Sequence, residues 1–161
     1  MVRASEFEFL DHPGPLAFAH RGGALDGPEN TIRAFRAAVG LGYRYIETDV
    51  QVTADGELMA FHDDDLARTC GVAARISELP YAAVSAARVA GSEPIPTLDQ
   101  VLETFRDVRF NIDCKSDAAV EPLARAVERH RALERVCLAS FSDRRVRQLR
   151  RRLGSGVCTS A

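Results

Sequence analysis

Lysine is almost absent from this chain. Of its 21 basic residues, Lys115 is the only lysine and every other is arginine. An excess of charge of one sign is missing too. With 23 acidic residues the formal net charge is −2, too small to gather nucleic acid or an anionic membrane. No stretch approaches the ~18 apolar residues of a membrane span. Met1 to Pro15 carries three acids and a Pro-Gly-Pro turn, without the basic and apolar regions of a secretory leader. The four cysteines (Cys70, Cys114, Cys137 and Cys158) are widely spaced and contain no C-x-x-C pair. Three of them lie in apolar, strand-like stretches, so reduced buried thiols are expected rather than disulfides or a metal site. No internal repeat or low-complexity segment stands out beyond alanine richness. Together these absences lead us to expect a soluble cytoplasmic protein with no nucleic-acid partner and no stable membrane anchor.

What is present is enough for a real core. The 161 residues are 46% hydrophobic and 27% charged, which fits one domain over residues 1–161 and excludes a disordered chain. Short apolar runs alternate with helical periodicity. Strands are predicted over 16–20, 45–52, 57–62, 109–113, 135–141 and 156–160, and helices over 28–40, 97–105, 118–131 and 142–153. Thr53-Ala54-Asp55-Gly56 reads as a turn that brings its two flanking strands close together. Residues 63–96 are irregular, with Gly91 and three prolines, and read as an insertion. Strand-helix alternation of this kind predicts an α/β fold with a parallel sheet, open or closed as a barrel. Chemistry should then collect where strands end.

Polar residues do cluster there. The first strand ends in His20-Arg21-Gly22-Gly23: a proton carrier, a phosphate-binding cation and glycines that allow close backbone approach. A plain turn with a capped histidine would look the same. The second strand carries Glu47 and Asp49 two apart, hence on one face. Carboxylates inside an apolar strand need neutralising, and a hard divalent cation such as Mg²⁺ or Ca²⁺ does this well. A solvated edge strand is the plainer account. The third strand runs into His62-Asp63, and the fourth supplies Asp113 and Lys115 on a shared face. Asp113 reads as a third metal ligand and Lys115 as a cation beside a phosphate, unless the two simply pair with each other. Taken together, the set offers a metal, two proton carriers and two cations at one end of a sheet. That suits phosphoryl-ester cleavage. By contrast, Arg144 to Arg152 sits on a helix with Val146, Leu149 and Leu153 at core spacing, and reads as a solvated face.

At this point the chain resembles the glycerophosphodiester phosphodiesterase family. The likeness rests on His20-Arg21-Gly22, Glu29-Asn30-Thr31 with Ala34-Phe35, Glu47-x-Asp49-Val50, Thr53-x-Asp55-Gly56, His62-Asp63, Arg68-Thr69 and Pro96-Thr97-Leu98. It runs from about Leu16 to the end of the chain. The resemblance implies a (β/α)₈ TIM barrel and hydrolysis of a small-molecule glycerophosphodiester to glycerol 3-phosphate and an alcohol. By position, it implies that His20 and His62 are the acid/base pair, and that Glu47 and Asp49 bind the metal. Arg21 and Lys115 would contact the phosphate, with Glu29 as a further acidic residue on the substrate side. Asp113 stands where many members have glutamate, so a shorter side chain would serve as the third metal ligand. Toxins of the phospholipase D type share part of the pattern, which leaves cleavage through a cyclic phosphate as a variant. Such barrels take about 250 residues, and only six strands are predicted here. An incomplete barrel is therefore expected: a fragment on the plainest reading, with edges covered by another chain or an unstable fold as the alternatives. A remnant that binds metal or phosphodiester without turnover is the rival function. Head-group preference and oligomeric state are left open.

Overall fold

In the computed structural model the described residues are 7–23 and 27–161. The leader expectation for the first fifteen residues therefore lies partly outside them, at 1–6. Among the described residues no helix is long and apolar enough to cross a membrane. All four cysteines are free thiols, and Cys114, Cys137 and Cys158 are buried.

A single 3₁₀ turn (Glu8–Leu10) precedes strand β1 (Phe18–His20), which is followed by helix α1 (Ile32–Gly40). The helix starts later than its periodicity predicts. Asn30 takes a left-handed φ of 55°, and Thr31 caps the helix by accepting from the Ala34 amide at 3.2 Å. Strand β2 (Tyr45–Val52) has the limits that its apolar run predicts. The turn after it is closed by Thr53, whose Oγ1 donates to Asp55 Oδ1 and accepts from the Glu57 amide. This turn sends β3 (Leu58–Ala60) back antiparallel to β2, with Val50 opposite Ala60 and Val52 opposite Leu58.

The chain then leaves the sheet until Pro96. This excursion holds the short helices α2 (Ala67–Cys70) and α3 (Tyr81–Val84) and the two-residue strands β4 (Arg88–Val89) and β5 (Glu93–Pro94). Met59, Phe61, Leu66, Ile76, Val84, Val89 and Ile95 give it a small core of its own. Both ends are pinned to the sheet: the Phe61 amide donates to the Asp49 carbonyl, and the Ala60 amide to that of Pro96.

Regular alternation follows: α4 (Leu98–Thr104), β6 (Arg109–Cys114), α5 (Val120–Arg129), β7 (Val136–Ala139), α6 (Asp143–Leu153) and β8 (Cys158–Ser160). Thr97 and Gln100 cap α4 reciprocally, each side chain accepting from the other's backbone amide. The sheet order is β1-β2-β6-β7-β8, all parallel, with β3 paired to β2 off this path. Of the six strands expected, five are therefore parallel. The third is the return arm of a hairpin, because a turn this short can only reverse the chain. Among the described residues β1 and β8 do not pair with each other, so the barrel is not closed.

The strands divide their residues by parity. Ile46, Val50, Phe110, Ile112, Val136 and Leu138 face the helices, packing with Phe35, Leu102, Leu123, Val127 and Leu149. The other face is layered. At its lower end Phe9 sits edge-on against Tyr45, whose hydroxyl donates to the Phe9 carbonyl at 2.8 Å. Above that come Glu47, Asn111, Cys137 and Cys158 in register, then Asp49, Asp113, Ala139 and Ser160. The basic helix α6 behaves as a solvated face. Arg144 and Arg145 pair with Asp117, and Arg152 pairs with Glu121 and Glu128.

Candidate active site

A cavity of about 400 Å³ opens where the parallel strands end. It is lined by His20, Arg21, Glu47, Asp49, His62, Asp113 and Lys115, together with Asn111, Ala139, Ser140, Phe141, Ser160 and Ala161. Seven of the eight residues singled out from the sequence thus share one cavity of ordinary ligand size. Glu29, the eighth, stands behind it and holds Arg21.

The approach from β1 is tightly built. Arg21, Gly22 and Gly23 all have positive φ, at 53°, 86° and 83°. This brings the Arg21 amide onto Glu47 Oε2 at 3.1 Å, while the Arg21 side chain reaches Glu29 Oε1 at 3.1 Å and Asp49 Oδ2 at 3.5 Å. His20 is the open member of the site. Its side chain is 72% exposed, with Nε2 at 3.8 Å from Glu47 Oε2.

The carboxylates differ sharply. Asp49 is buried and crowded with donors: Lys115 Nζ at 2.8 Å on Oδ1, and Asn30 Nδ2 at 3.0 Å on Oδ2. Asp113, its register partner on β6, takes Lys115 Nζ at 2.6 Å on Oδ2, while its Oδ1 is buried with no hydrogen-bond partner among the described residues. Glu47 accepts from the Arg21 amide and lies 3.8 Å from His20 Nε2, and the Arg21 and Lys115 charges act on it more weakly. Burial, and then the nearby Asp49 charge, push its pKa up to about 7. Burial works against the Lys115 ammonium, but its hydrogen bonds to Asp113 and Asp49 outweigh this and raise its pKa. The plain pairing of Asp113 with Lys115 is therefore present, and the same lysine bridges to Asp49. Among the described residues, no three His, Cys, Asp or Glu side chains are already gathered as a cation cage. Lys115 stands between two of the three carboxylates expected to form one.

His62 reaches the cavity from β3, and so from the opposite direction to the other residues. Its Nδ1 lies 2.6 Å from Asp63 Oδ1, and Asp63 Oδ2 accepts from Arg68 Nε at 2.6 Å. Gln51 Nε2 donates to the His62 carbonyl at 3.2 Å. The hydrogen bond from Arg68, opposed by burial and reinforced by His62, holds Asp63 below the usual carboxylate range. Glu29 is lowered in the same way, by Arg68 first and, against burial, by Arg21.

A sequence profile of the glycerophosphoryl diester phosphodiesterase family matches residues 20–158. The chain belongs to this family. It is 42% identical over 159 residues to a probable glycerophosphodiester phosphodiesterase 2 of Mycobacterium tuberculosis, covering 98% of this chain and 60% of that protein. Among solved structures, a glycerophosphodiester phosphodiesterase of Agrobacterium tumefaciens superposes with a TM-score of 0.78 at 28% identity, covering 83% of this chain and 61% of the other. An Oleispira antarctica phosphodiesterase, solved in complex with the product sn-glycerol-3-phosphate, gives 0.75 at 25% identity, covering 85% and 62%. The chain thus spans about 60% of the length of these relatives. The structural neighbours are TIM-barrel proteins, and the unclosed parallel sheet is part of such a barrel.

Sequence reasoning gave no role to four residues that shape the site. Asn30 is buried, donating to Asp49 and accepting from Thr48 Oγ1 at 2.7 Å. Asn111 lies in register with Glu47, and its Oδ1 is buried without a partner among the described residues. Phe141 stands at the rim, its ring centroid 6.0 Å from Lys115 Nζ. Arg68 joins Asp63 to Glu29. Asn30 and Arg68 both lie in motifs shared with the family, which was the available signal. Nothing in the local sequence distinguishes Asn111 or Phe141.

Proposed function

We propose that this pocket hydrolyses glycerophosphodiesters to glycerol 3-phosphate and an alcohol. The observation that carries the reading is the convergence on one cavity, in a chain of this family, of two histidines, two cations and three carboxylates. Arg21 and Lys115 face the phosphate oxygens and offset their charge. His20 and His62 divide the proton work. One takes a proton from the attacking water as its oxygen bonds to phosphorus, and the other gives a proton to the alkoxide as the phosphorus–oxygen bond to the alcohol breaks. Asp63 on Nδ1 leaves Nε2 of His62 as the nitrogen for this exchange. Glu29 keeps Arg21 in place.

The donor set fits a hard divalent cation, Mg²⁺ or Ca²⁺. All three ligands are carboxylates, Asp113 Oδ1 is buried without a partner among the described residues, and burial beside Asp49 raises the Glu47 pKa to about 7, a cost that a nearby positive charge would offset. Glu47, Asp49 and Asp113 would hold it, with Lys115 released towards the phosphate. When bound, the ion supplies Lewis-acid stabilisation of the phosphoryl oxygens.

The test is release of glycerol 3-phosphate from glycerophosphocholine and glycerophosphoethanolamine, with Mg²⁺, Ca²⁺ or chelator. Metal-dependent release is expected, and His20→Ala or His62→Ala should each lower kcat by about 10²- to 10⁴-fold while leaving cation binding in place. Near-normal turnover in either variant would sink the two-histidine assignment. Cyclic glycerophosphate as the first product would replace hydrolysis by internal attack of a glycerol hydroxyl. A folded protein that binds glycerol 3-phosphate and cation without turnover would be a binding module.

A further inference from the structure

Arg68 sits on α2 in the excursion and carries none of the roles assigned above, yet it contacts two of the residues around them. Its Nε donates to Asp63 Oδ2 at 2.6 Å. Its Nη1 and Nη2 donate to Glu29 Oε2 and Oε1 at 3.1 and 2.5 Å. Each carboxylate in turn holds a residue of the pocket: Asp63 Oδ1 lies 2.6 Å from His62 Nδ1, and Glu29 Oε1 accepts from Arg21 Nη1 at 3.1 Å. The result is an unbroken line, His62–Asp63–Arg68–Glu29–Arg21, running from the excursion to the loop before α1. Glu29 and Arg68 are 39 residues apart in sequence, so this tie is tertiary.

The geometry needs a guanidinium. Three donors in one plane span two carboxylates, two of them parallel on Glu29 and the third turned to Asp63. An ammonium has no such fixed fork. Without this third contact, Asp63 would be a partly exposed carboxylate on a connecting segment, free to swing away from the imidazole. A histidine that must carry a proton on one nitrogen depends on the partner of the other to fix its tautomer and its angle.

We propose that Arg68 is a positioning residue that locks Asp63 onto His62 Nδ1 and Glu29 onto Arg21, so that the proton carrier and the phosphate cation are set by a single clamp. This rests on the phosphodiesterase reading above for the roles of His62 and Arg21. The contacts themselves do not.

The experiment compares wild type, Arg68→Gln and Arg68→Lys in the full chain, by thermal melting, steady-state kinetics and ¹⁵N NMR of the His62 ring above its titration. Arg68 is half-exposed, so the variants are expected to fold. In wild type, His62 should show a protonated Nδ1 and an unprotonated Nε2. In Arg68→Gln the two resonances should move together as the tautomers mix, with kcat falling about tenfold to a hundredfold as His62 loses its setting and KM rising as Arg21 does. Arg68→Lys should restore only part of either signal. His62 resonances unchanged from wild type in a folded Arg68→Gln protein would overturn the proposal, and Arg68→Lys is judged by the same criterion should Arg68→Gln not fold. If the tautomer is fixed in wild type and lost in the variants, but no glycerophosphodiester is cleaved, the clamp stands and the substrate reading falls.

Discussion

Glu47 and Asp49 lie two positions apart on one strand, yet their surroundings are opposite. Asp49 is met by Lys115, Arg21 and Asn30, whereas Glu47 has a backbone amide and a histidine 3.8 Å away. The difference has a measurable consequence in metal-free protein. The pKa of Glu47 is raised from 4.5 to about 7, so the folded state holds this proton more tightly than the unfolded chain does. The stability this contributes is fully present below pH 4.5, declines as pH rises, and is gone above about 7. Melting curves of wild type and Glu47→Gln across that window should therefore diverge, with wild type losing ground to the variant as pH increases. Saturating Mg²⁺ or Ca²⁺ should flatten the divergence, because the ion takes the proton's place. A difference between the two proteins that does not change with pH would contradict the assignment. The residue types were legible in the sequence; their partners were not. Asn30 reads as a helix start, and only the fold brings its side chain between Asp49 and Thr48, nineteen and eighteen residues away.

Legibility was greatest in the single elements. The limits of β2 follow from its apolar run, and α4 begins beside Thr97, where its helix is expected. Strand direction was harder. A strand ending in histidine looks the same whether it runs up the barrel or returns down a hairpin, and Leu58–Ala60 returns. The same pocket is reached by either route, because β2 runs on past Asp49 and the hairpin brings the chain back to His62. The turn between β1 and α1 is a sharper case of an element that tolerates one residue type. Gly22 has φ at 86°, and a Cβ there would lie 2.6 Å from Phe35 Cδ1 and 3.0 Å from Ala34 Cβ. Gly22→Ala should cost about 2–4 kcal/mol in chemical denaturation, since it adds left-handed strain to a clash with a buried ring. It should also lower activity in whatever protein remains folded, by moving Arg21. Wild-type stability in that variant would mean that the turn relaxes freely.

For the molecule as a whole, composition and alternation were enough to indicate a parallel α/β sheet, and motif spacing indicated the barrel lineage. Neither revealed how the excursion is tied down. That depends on a second small core and on bonds between distant segments, such as Phe61 to Asp49 and Arg68 to Glu29. The scarcity of lysine also takes on a new meaning at this scale. The one side-chain amine is Lys115, only 18% exposed and bound by two carboxylates at the centre of the pocket. Reagents that acylate lysines across most protein surfaces would have a single side-chain address here, and it lies inside the site. Peptide mapping after mild acylation should find the mark on Lys115, with phosphate-bearing ligands slowing it; protection by an inert sugar alcohol to the same degree would point to simple crowding instead. Attachment chemistries that target lysine side chains, whether for labelling, cross-linking or immobilisation, would reach this chain by way of its pocket.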